Sequence, residues 1–202
     1  MATGRLLTRD DFSAPATTVA PGLIGAVIEA HGVRARIIET EAYQGIEDRA
    51  CHASRGRTAR TEVLFGECGV LYVYLCYGMH ALLNLVCDRE GVPAAVLLRA
   101  VDITHGLSVA RQRRGIPDGA SARLANGPAK LTQALGITLR HQGLRLGEPG
   151  CPLRVRLGQP LGERVCGRRV GVDYAGSCAL RPWRWWESGY PLAARPTPVS
   201  GR

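Results

Sequence analysis

Two short segments of the chain combine carboxylates with tyrosines at spacings that could support chemistry on a flat ring. Residues 36–43 read Arg-Ile-Ile-Glu-Thr-Glu-Ala-Tyr and place Glu39, Glu41 and Tyr43 at alternate positions. Residues 71–80 read Leu-Tyr-Val-Tyr-Leu-Cys-Tyr-Gly-Met-His, with three tyrosines before a glycine. A carboxylate beside several aromatic faces suits a pocket that stacks a flat ring and activates a water molecule.

The charge of the chain indicates what could carry such a ring. The 202 residues have a formal net charge of +9 at pH 7, and Lys130 is the single lysine among 26 basic residues. A basic chain favours an anionic partner, and arginine binds phosphate through two hydrogen bonds. A flat ring attached to a polyanion is a nucleobase, so we expect a nucleic-acid partner.

Length and composition exclude several other classes of protein. With 202 residues, of which 46% are hydrophobic, we expect one globular domain over residues 1–202 that acts as a monomer. No apolar run approaches the roughly 18–20 residues of a transmembrane helix, and the N-terminus has no secretory signal. We therefore expect a cytoplasmic protein without a membrane partner. The seven cysteines form no Cys-x-x-Cys pair, which favours reduced thiols over a zinc site.

Hydrophobic patterning predicts the strands that would position these residues. An apolar segment at 25–29 and the run 33–43 flank His31-Gly32, which predicts a hairpin. Residues 70–76 alternate with period two. Because predicted strands outnumber helices and most are consistent with antiparallel pairing, we predict an α+β fold. The remaining predicted elements are strands at 82–86, 93–100, 154–157 and 168–172, and helices at 106–114 and 121–135, the second broken at Asn126-Gly127-Pro128.

The segment between the two tyrosine-bearing strands is the predicted functional loop. Residues 44–67 are charged and glycine-rich, and they include Arg55, Arg57 and Arg60, with His52 before them. Tyr77 lies at the glycine turn, where a large aromatic side chain would be exposed. On a basic protein, such a side chain can wedge into a base stack.

Several of these residues also have purely structural interpretations, which the sequence leaves open. Glu41 could cap a helix or pair with Arg36, and tyrosines in strands usually pack in a core. His52 could be a satisfied structural histidine, and Arg99 could form a plain salt bridge. Asn84 lies in the apolar run Leu-Leu-Asn-Leu-Val, so its amide needs either partners from the fold or a ligand.

Taken together, these blocks resemble the alkyladenine DNA glycosylase family, the 3-methyladenine glycosylases that lack a helix-hairpin-helix. The resemblance covers nearly the whole chain, with the blocks in the same order. They are residues 37–43, 47–52, 55–58, 71–79, 95–100, 127–131 and 169–172, with Ala175-Gly176. The family fold implies a curved, mostly antiparallel sheet with flanking helices and a β-hairpin that inserts into DNA.

The resemblance also implies roles for individual residues around a flipped base. Glu41 corresponds to the general base that activates water, although the alternating Glu39 could be its supporting partner or the base itself. Tyr43, His52 and Tyr74 correspond to the residues that stack on and line the base pocket.

Further matched positions concern selectivity and DNA contact. Arg99 corresponds to the arginine that helps to position the water, and Asn84 to the asparagine that guards the pocket against the amino group of guanine. Tyr77 corresponds to the tyrosine that fills the gap left by the flipped base, with Met79 and His80 beside it. His80 stands where some members have an aromatic residue, and Thr61 stands where asparagine is common. From their loop position and charge, Arg55 and Arg57 are expected to contact DNA.

The expected activity follows from the resemblance. The partner would be double-stranded DNA with damaged purines, namely 3-methyladenine, 7-methylguanine, hypoxanthine or ethenoadenine. The product would be an abasic site, formed without a metal or other cofactor. A lyase step through a Schiff base is not expected, because it would need Lys130 or the terminal amine. Two rival hypotheses are a nucleic-acid-binding module without catalysis and a metal-dependent hydrolase that uses Cys51, His52 and Glu41.

Overall fold

The computed structural model describes residues 4–117, 124–190 and 192, and these build one mixed sheet-and-helix domain around an eight-stranded sheet. All strand pairings are antiparallel. The strands run in the order β3-β4-β5-β2-β1-β6, and β8 joins β2 to β7. Their bounds are β1 Val27–Ala30, β2 Val33–Gln44, β3 Leu71–Cys76, β4 His80–Val86, β5 Ala94–His105, β6 Arg154–Arg156, β7 Arg164–Gly167 and β8 Arg184–Glu187.

Strand β2 organises the sheet because it has three partners. It pairs with β5 over most of its length, with β1 through residues 33–36 and with β8 through residues 39–41. The turn between β1 and β2 consists of His31 and Gly32, both at positive φ (46° and 81°). Two central residues at positive φ match the twist of an antiparallel hairpin.

The helices cover one face of the sheet and enclose the main hydrophobic core. Helices α1 and α3 pack against the central strands, and α2 packs on α3. Buried aliphatic side chains from the strands and helices fill this layer. None of the described helices is long and apolar enough to cross a membrane. The helices are α1 Ala16–Gly22, α2 Leu107–Arg114 and α3 Pro128–Leu135, with 3-10 helices at Arg9–Phe12, His52–Arg55, Glu62–Phe65, Leu139–His141 and Asp173–Leu180.

The structure confirms the α+β class and the His31-Gly32 hairpin, and it corrects the C-terminal part of the prediction. Residues 168–172 are not a strand, whereas β8 crosses the tryptophan-rich segment and pairs with β2. The predicted helix at 121–135 is described only from Leu124, and α3 begins at Pro128 after the Asn126-Gly127 break. Its first residues, 121–123, lie outside the described part of the chain.

A bulge in β5 sets the position of Arg99. The register between β2 and β5 passes from Glu39 opposite Ala100 to Thr40 opposite Leu98, so Arg99 is the extra residue on its strand. A bulge leaves one residue unpaired in the ladder and can re-aim its side chain. Arg99 consequently stands between two positions of β2 instead of opposite one of them.

A buried ion pair ties the loop after β2 to the segment before β8. Arg169 donates to both carboxylate oxygens of Asp48, at 2.5 and 2.8 Å, and both side chains are fully buried. The same guanidinium donates to the backbone oxygens of Ala42 (2.9 Å) and Cys178 (3.0 Å). These four hydrogen bonds hold residues 168–178 against the end of β2.

Replacing Asp48 with asparagine should destabilise the protein strongly. Removing one charge of a buried pair leaves the other uncompensated, so the free energy of unfolding should fall by about 3–5 kcal/mol. Urea unfolding measures the change. Asp173→Asn, at an exposed carboxylate of the same segment, is the matched control and should stay within about 0.5 kcal/mol of the parent. Equal stability of the two variants would contradict this role of the pair.

Candidate active site

Four directly opposed residues form a row across the face of the sheet that the helices leave free. Tyr72 of β3 stands opposite Asn84 of β4, Asn84 opposite Leu97 of β5, and Leu97 opposite Glu41 of β2. Opposed residues in an antiparallel sheet point to the same side. Four different strands therefore supply one continuous floor.

A cavity of ≈ 480 Å³ opens above this floor. Six of the predicted site residues line it. Three tyrosines of β2 and β3 form part of its walls. Its lining includes Tyr43, His52, Tyr72, Tyr74, Tyr77, Asn84, Leu97, Arg99, Val170 and Tyr174. This volume lies within the range of about 300–1,000 Å³ that is common for small-ligand pockets.

Glu41 lies directly beneath the lining, fully buried and held by three donors. Its Oε1 accepts the backbone N–H of Val170 at 2.8 Å. Its Oε2 accepts the hydroxyl of Tyr43 at 2.8 Å and Nη1 of Arg99 at 3.4 Å. These donors compensate the burial of a negative charge. Since each carboxylate oxygen has two lone pairs, Oε1 can accept one more hydrogen bond, such as one from a water molecule.

Glu39 is the second buried carboxylate of β2, and its hydrogen-bond donors differ from those of Glu41. Its Oε1 accepts Nε of Arg99 at 3.0 Å and Nε of Arg184 at 2.6 Å. Burial raises the pKa of Glu39, and the charges of Arg99 and Arg184 partly oppose the rise. Burial works to lower the pKa of Arg99, but the carboxylates of Glu41 and Glu39 keep it above its usual value. Arg99 therefore bridges both carboxylates, and neither Glu39 nor Glu41 is itself among the residues that line the cavity.

The aromatic walls of the cavity are neutral. Burial lowers the pKa of His52 to about 4, with a smaller effect from the charge of Arg60. Burial, followed by the charge of Glu41, raises the pKa of Tyr43 well above its usual value, and burial also raises that of Tyr74. The rings of His52 and Tyr74 meet edge to face, with centroids 4.6 Å apart, and His52 Nδ1 lies 2.9 Å from the hydroxyl of Tyr72.

Asn84 and Tyr77, the first residue of the β3–β4 turn, both line this cavity. The Asn84 amide donates to the backbone oxygen of Tyr72 at 3.1 Å, so the fold uses part of its hydrogen-bonding capacity, and its side chain also lines the cavity. At the turn, Tyr77 is 89% exposed at φ 52°, and Met79 is 73% exposed. The expected exposure of Tyr77 is confirmed. His80, the first residue of β4, is exposed beside them.

The predicted loop arginines differ in their surroundings. Arg57 pairs with Glu62 at 2.8 Å and lies over the ring of Phe65, whereas Arg55 has an exposed guanidinium beside the pocket walls. Thr61 is buried, and its hydroxyl donates to the backbone oxygen of Gly56 at 2.9 Å. Neither Arg55 nor Arg57 lines the cavity above Glu41.

Sequence reasoning missed the donor to Glu41 and part of the aromatic wall. Val170 contributes through its backbone N–H, which has no side-chain signature. Tyr174 lines the cavity from the 3-10 helix Asp173–Leu180, far away in sequence. Arg60 lies over the ring of Tyr74, 5.1 Å from its centroid. The matched block 169–172 with Ala175-Gly176 is the sequence signal for this segment, and the predicted strand at 168–172 is wrong.

The metal-dependent hypothesis finds little support in the donor chemistry. Burial raises the pKa of the Cys51 thiol to about 11, which disfavours the thiolate that binds metals. Across residues 4–117, 124–190 and 192, no three His, Cys, Asp or Glu side chains are grouped so that they could hold a metal ion.

Comparison with known proteins identifies the family of this chain. A profile of the family described as "Methylpurine-DNA glycosylase (MPG)" matches residues 10–191. Relatives bear the provisional name 3-methyladenine DNA glycosylase. One, from Rhodopseudomonas palustris (strain BisB18), is 43% identical over 96% of this chain and 92% of its own length. Another, from Myxococcus xanthus (strain DK1622), is 46% identical over 87% of this chain and 86% of its own length. The chain belongs to the methylpurine-DNA glycosylase family.

The burial of His52 predicts a pH dependence of stability. In the unfolded chain His52 gains a proton below its ordinary pKa of 6.5, whereas in the folded protein it stays neutral down to about 4. The unfolded state thus binds more protons in this window, so stability falls as the pH decreases through it. His52→Gln should lose less stability than the parent between pH 7 and pH 5 in urea unfolding. His105→Gln, at an exposed position, controls for loss of an imidazole; the same loss in parent and His52→Gln would contradict the prediction.

Proposed function

We propose that the chain is a monofunctional DNA glycosylase that flips damaged purines out of duplex DNA and hydrolyses their N-glycosidic bond. Family membership and the names of the relatives support DNA as the partner and 3-methyladenine as a substrate. We extend the substrate set to 7-methylguanine, hypoxanthine and ethenoadenine. One observation carries the proposal: a buried carboxylate, with a free lone pair on Oε1, lies under a cavity walled by neutral aromatic rings.

Base flipping is the step that would bring the substrate to this cavity. A glycosidic bond inside a duplex is out of reach, so the nucleotide must leave the stack at a cost of a few kcal/mol. Tyr77, exposed at the tip of the β3–β4 hairpin, would fill the gap. Tyr43, Tyr74 and His52 would enclose the flipped base. Their neutral rings favour a positively charged alkylated purine through stacking and cation–π attraction.

Hydrolysis would then use the groups beneath the floor. Breaking the bond between C1′ and the base leaves an oxocarbenium-like sugar, and the electron pair departs with the base. A water oxygen bonds to C1′, and its proton passes to Glu41, whose negative charge also stabilises the sugar cation. Arg99 keeps the carboxylate oriented through its contacts with Glu41 and Glu39. A cationic purine becomes neutral as it leaves, which makes it a good leaving group.

Two features support the finer parts of the proposal. Asn84 lines the cavity while its amide nitrogen is bound to Tyr72, which leaves its position fixed near a base edge. A fixed amide can leave the 2-amino group of guanine unpaired and so disfavour undamaged guanine, which lacks the positive charge of 7-methylguanine. The ammonium of Lys130 donates to Asn126 Oδ1 at 2.9 Å, which favours hydrolysis over Schiff-base chemistry. We further propose that residues 1–202 act as one domain and as a monomer, because a single chain supplies the whole lining.

Glu41→Gln tests the base directly. The amide preserves volume and removes the proton acceptor, so single-turnover excision of 3-methyladenine should fall by about 10²–10⁴-fold. Binding of lesion DNA should persist. Glu39→Gln probes the other carboxylate, since Glu39 contacts neither Tyr43 nor Val170. Although this change breaks buried contacts with Arg99 and Arg184, the folded variant should lose less excision activity than Glu41→Gln. Near-parent excision by Glu41→Gln, with severe loss in Glu39→Gln, would transfer the role to Glu39.

Tyr77→Ser tests the wedge. The variant should accumulate less flipped base because nothing large fills the gap, while its free energy of unfolding changes by no more than about 0.5 kcal/mol, as for an exposed residue. A fluorescent base analogue beside the lesion reports flipping, and Tyr77→Phe should behave like the parent. A Ser variant that flips normally would refute the wedge.

A further inference from the structure

A second cavity, of ≈ 490 Å³, adjoins the base pocket. The two cavities share four lining residues, Cys51, His52, Arg60 and Tyr174. They therefore lie on either side of one wall formed by the loop after β2 and the 3-10 helix Asp173–Leu180. The rest of the second lining consists of Arg49, Ser54, Arg55, Thr58 and Thr61.

Every formally charged side chain in this lining is an arginine. Arg49, Arg55 and Arg60 are all exposed, and no aspartate or glutamate lines the cavity. Within the described part of the chain, none of these three guanidiniums forms a salt bridge with a carboxylate. By contrast, neighbouring Arg57 is paired with Glu62. Three like charges at one concavity raise its positive potential and favour an anionic occupant.

We propose that this cavity is a phosphate-binding subsite that holds the backbone of the DNA strand carrying the flipped nucleotide. The inference rests on the proposed function. It assigns Arg49 and Arg60 to DNA contact, in addition to Arg55. Guanidinium groups match phosphate oxygens bidentately, and Ser54 supplies a hydroxyl donor at the same surface.

The shared wall selects the strand. The flipped base stays joined to its sugar and to the two phosphates on either side. When the base occupies the pocket, those phosphates must lie close to the pocket mouth. Arg60 belongs to both cavities, with its guanidinium over the ring of Tyr74. The same guanidinium also hydrogen-bonds the Tyr72 side chain, so a phosphate held by Arg60 would lie at the boundary between the two cavities.

Methylphosphonate scanning tests the subsite without requiring catalysis. A neutral methylphosphonate replaces one phosphate at a time on either side of a tetrahydrofuran abasic analogue in a duplex. Affinity is measured over a range of salt concentrations for the parent, Arg49→Gln and Arg60→Gln. Arg140→Gln is the matched control, because Arg140 is exposed near His31, at the opposite end of β2 from Glu41.

The parent should lose affinity when a linkage next to the analogue on the lesion strand is neutralised. Arg49→Gln should lower the salt slope by about one unit and abolish the sensitivity at that linkage. Such non-additivity identifies a direct contact. Arg60→Gln should act likewise, whereas Arg140→Gln should keep the parent profile at this linkage.

Two results would overturn the subsite. One is an unchanged salt slope and scanning profile in both Arg49→Gln and Arg60→Gln; the other is an equal loss at every linkage, which indicates diffuse screening. A parallel excision assay on the parent separates this result from the proposed function. If the parent excises the base but both arginine variants keep its scanning profile, only the subsite is refuted. If the parent excises nothing but its affinity loss is confined to one linkage and disappears in the variants, only the glycosylase activity is refuted.

Discussion

The site depends on how the sheet accommodates two buried carboxylates on one strand. Glu39 and Glu41 are nearly or fully inaccessible to solvent, and like charges this close repel each other when they are desolvated. Arg99 compensates both, and Arg184 of β8 compensates Glu39. The bulge at Arg99 and the addition of β8 to the middle of the sheet both serve this arrangement. Removing one partner of a buried ion pair leaves the other charge uncompensated, which costs more free energy than the intact pair contributes. The pairs that join β2, β5 and β8 therefore hold these strands to one another.

The two faces of the sheet divide stability and chemistry between them. One face carries the aliphatic core under α1 and α3, and the other carries tyrosines, Asn84 and the carboxylates. This second face remains partly open, and its hydroxyl and amide groups find partners within the fold, as Tyr43 does with Glu41 and Tyr72 with His52. These polar groups of the second face are therefore satisfied within the fold.

Charge is distributed in layers around the cavity. Exposed arginines lie at its outer wall, neutral rings form its sides, and the carboxylate lies beneath. Under the proposed function, the arginines of the outer layer attract the DNA backbone. The neutral rings of the inner layer then accept a flat base by stacking. Such an order suits a methylpurine-DNA glycosylase, which must hold a charged backbone and read one base. The Asp48–Arg169 pair maintains this arrangement because it holds the Val170 N–H against the carboxylate of Glu41.

The sequence by itself determined the fold class, the first hairpin and the residue types of the site, because alternation and turn chemistry are local properties. It also indicated that Tyr77 would be exposed beside its glycine. Only the tertiary structure decided which partner each group has. Glu39 and Glu41 are indistinguishable by alternation, and they differ because the Val170 N–H and the Tyr43 hydroxyl reach one of them and Arg184 reaches the other. The Val170 and Arg184 contacts join segments more than a hundred residues apart, and backbone donors leave no trace in side-chain patterns.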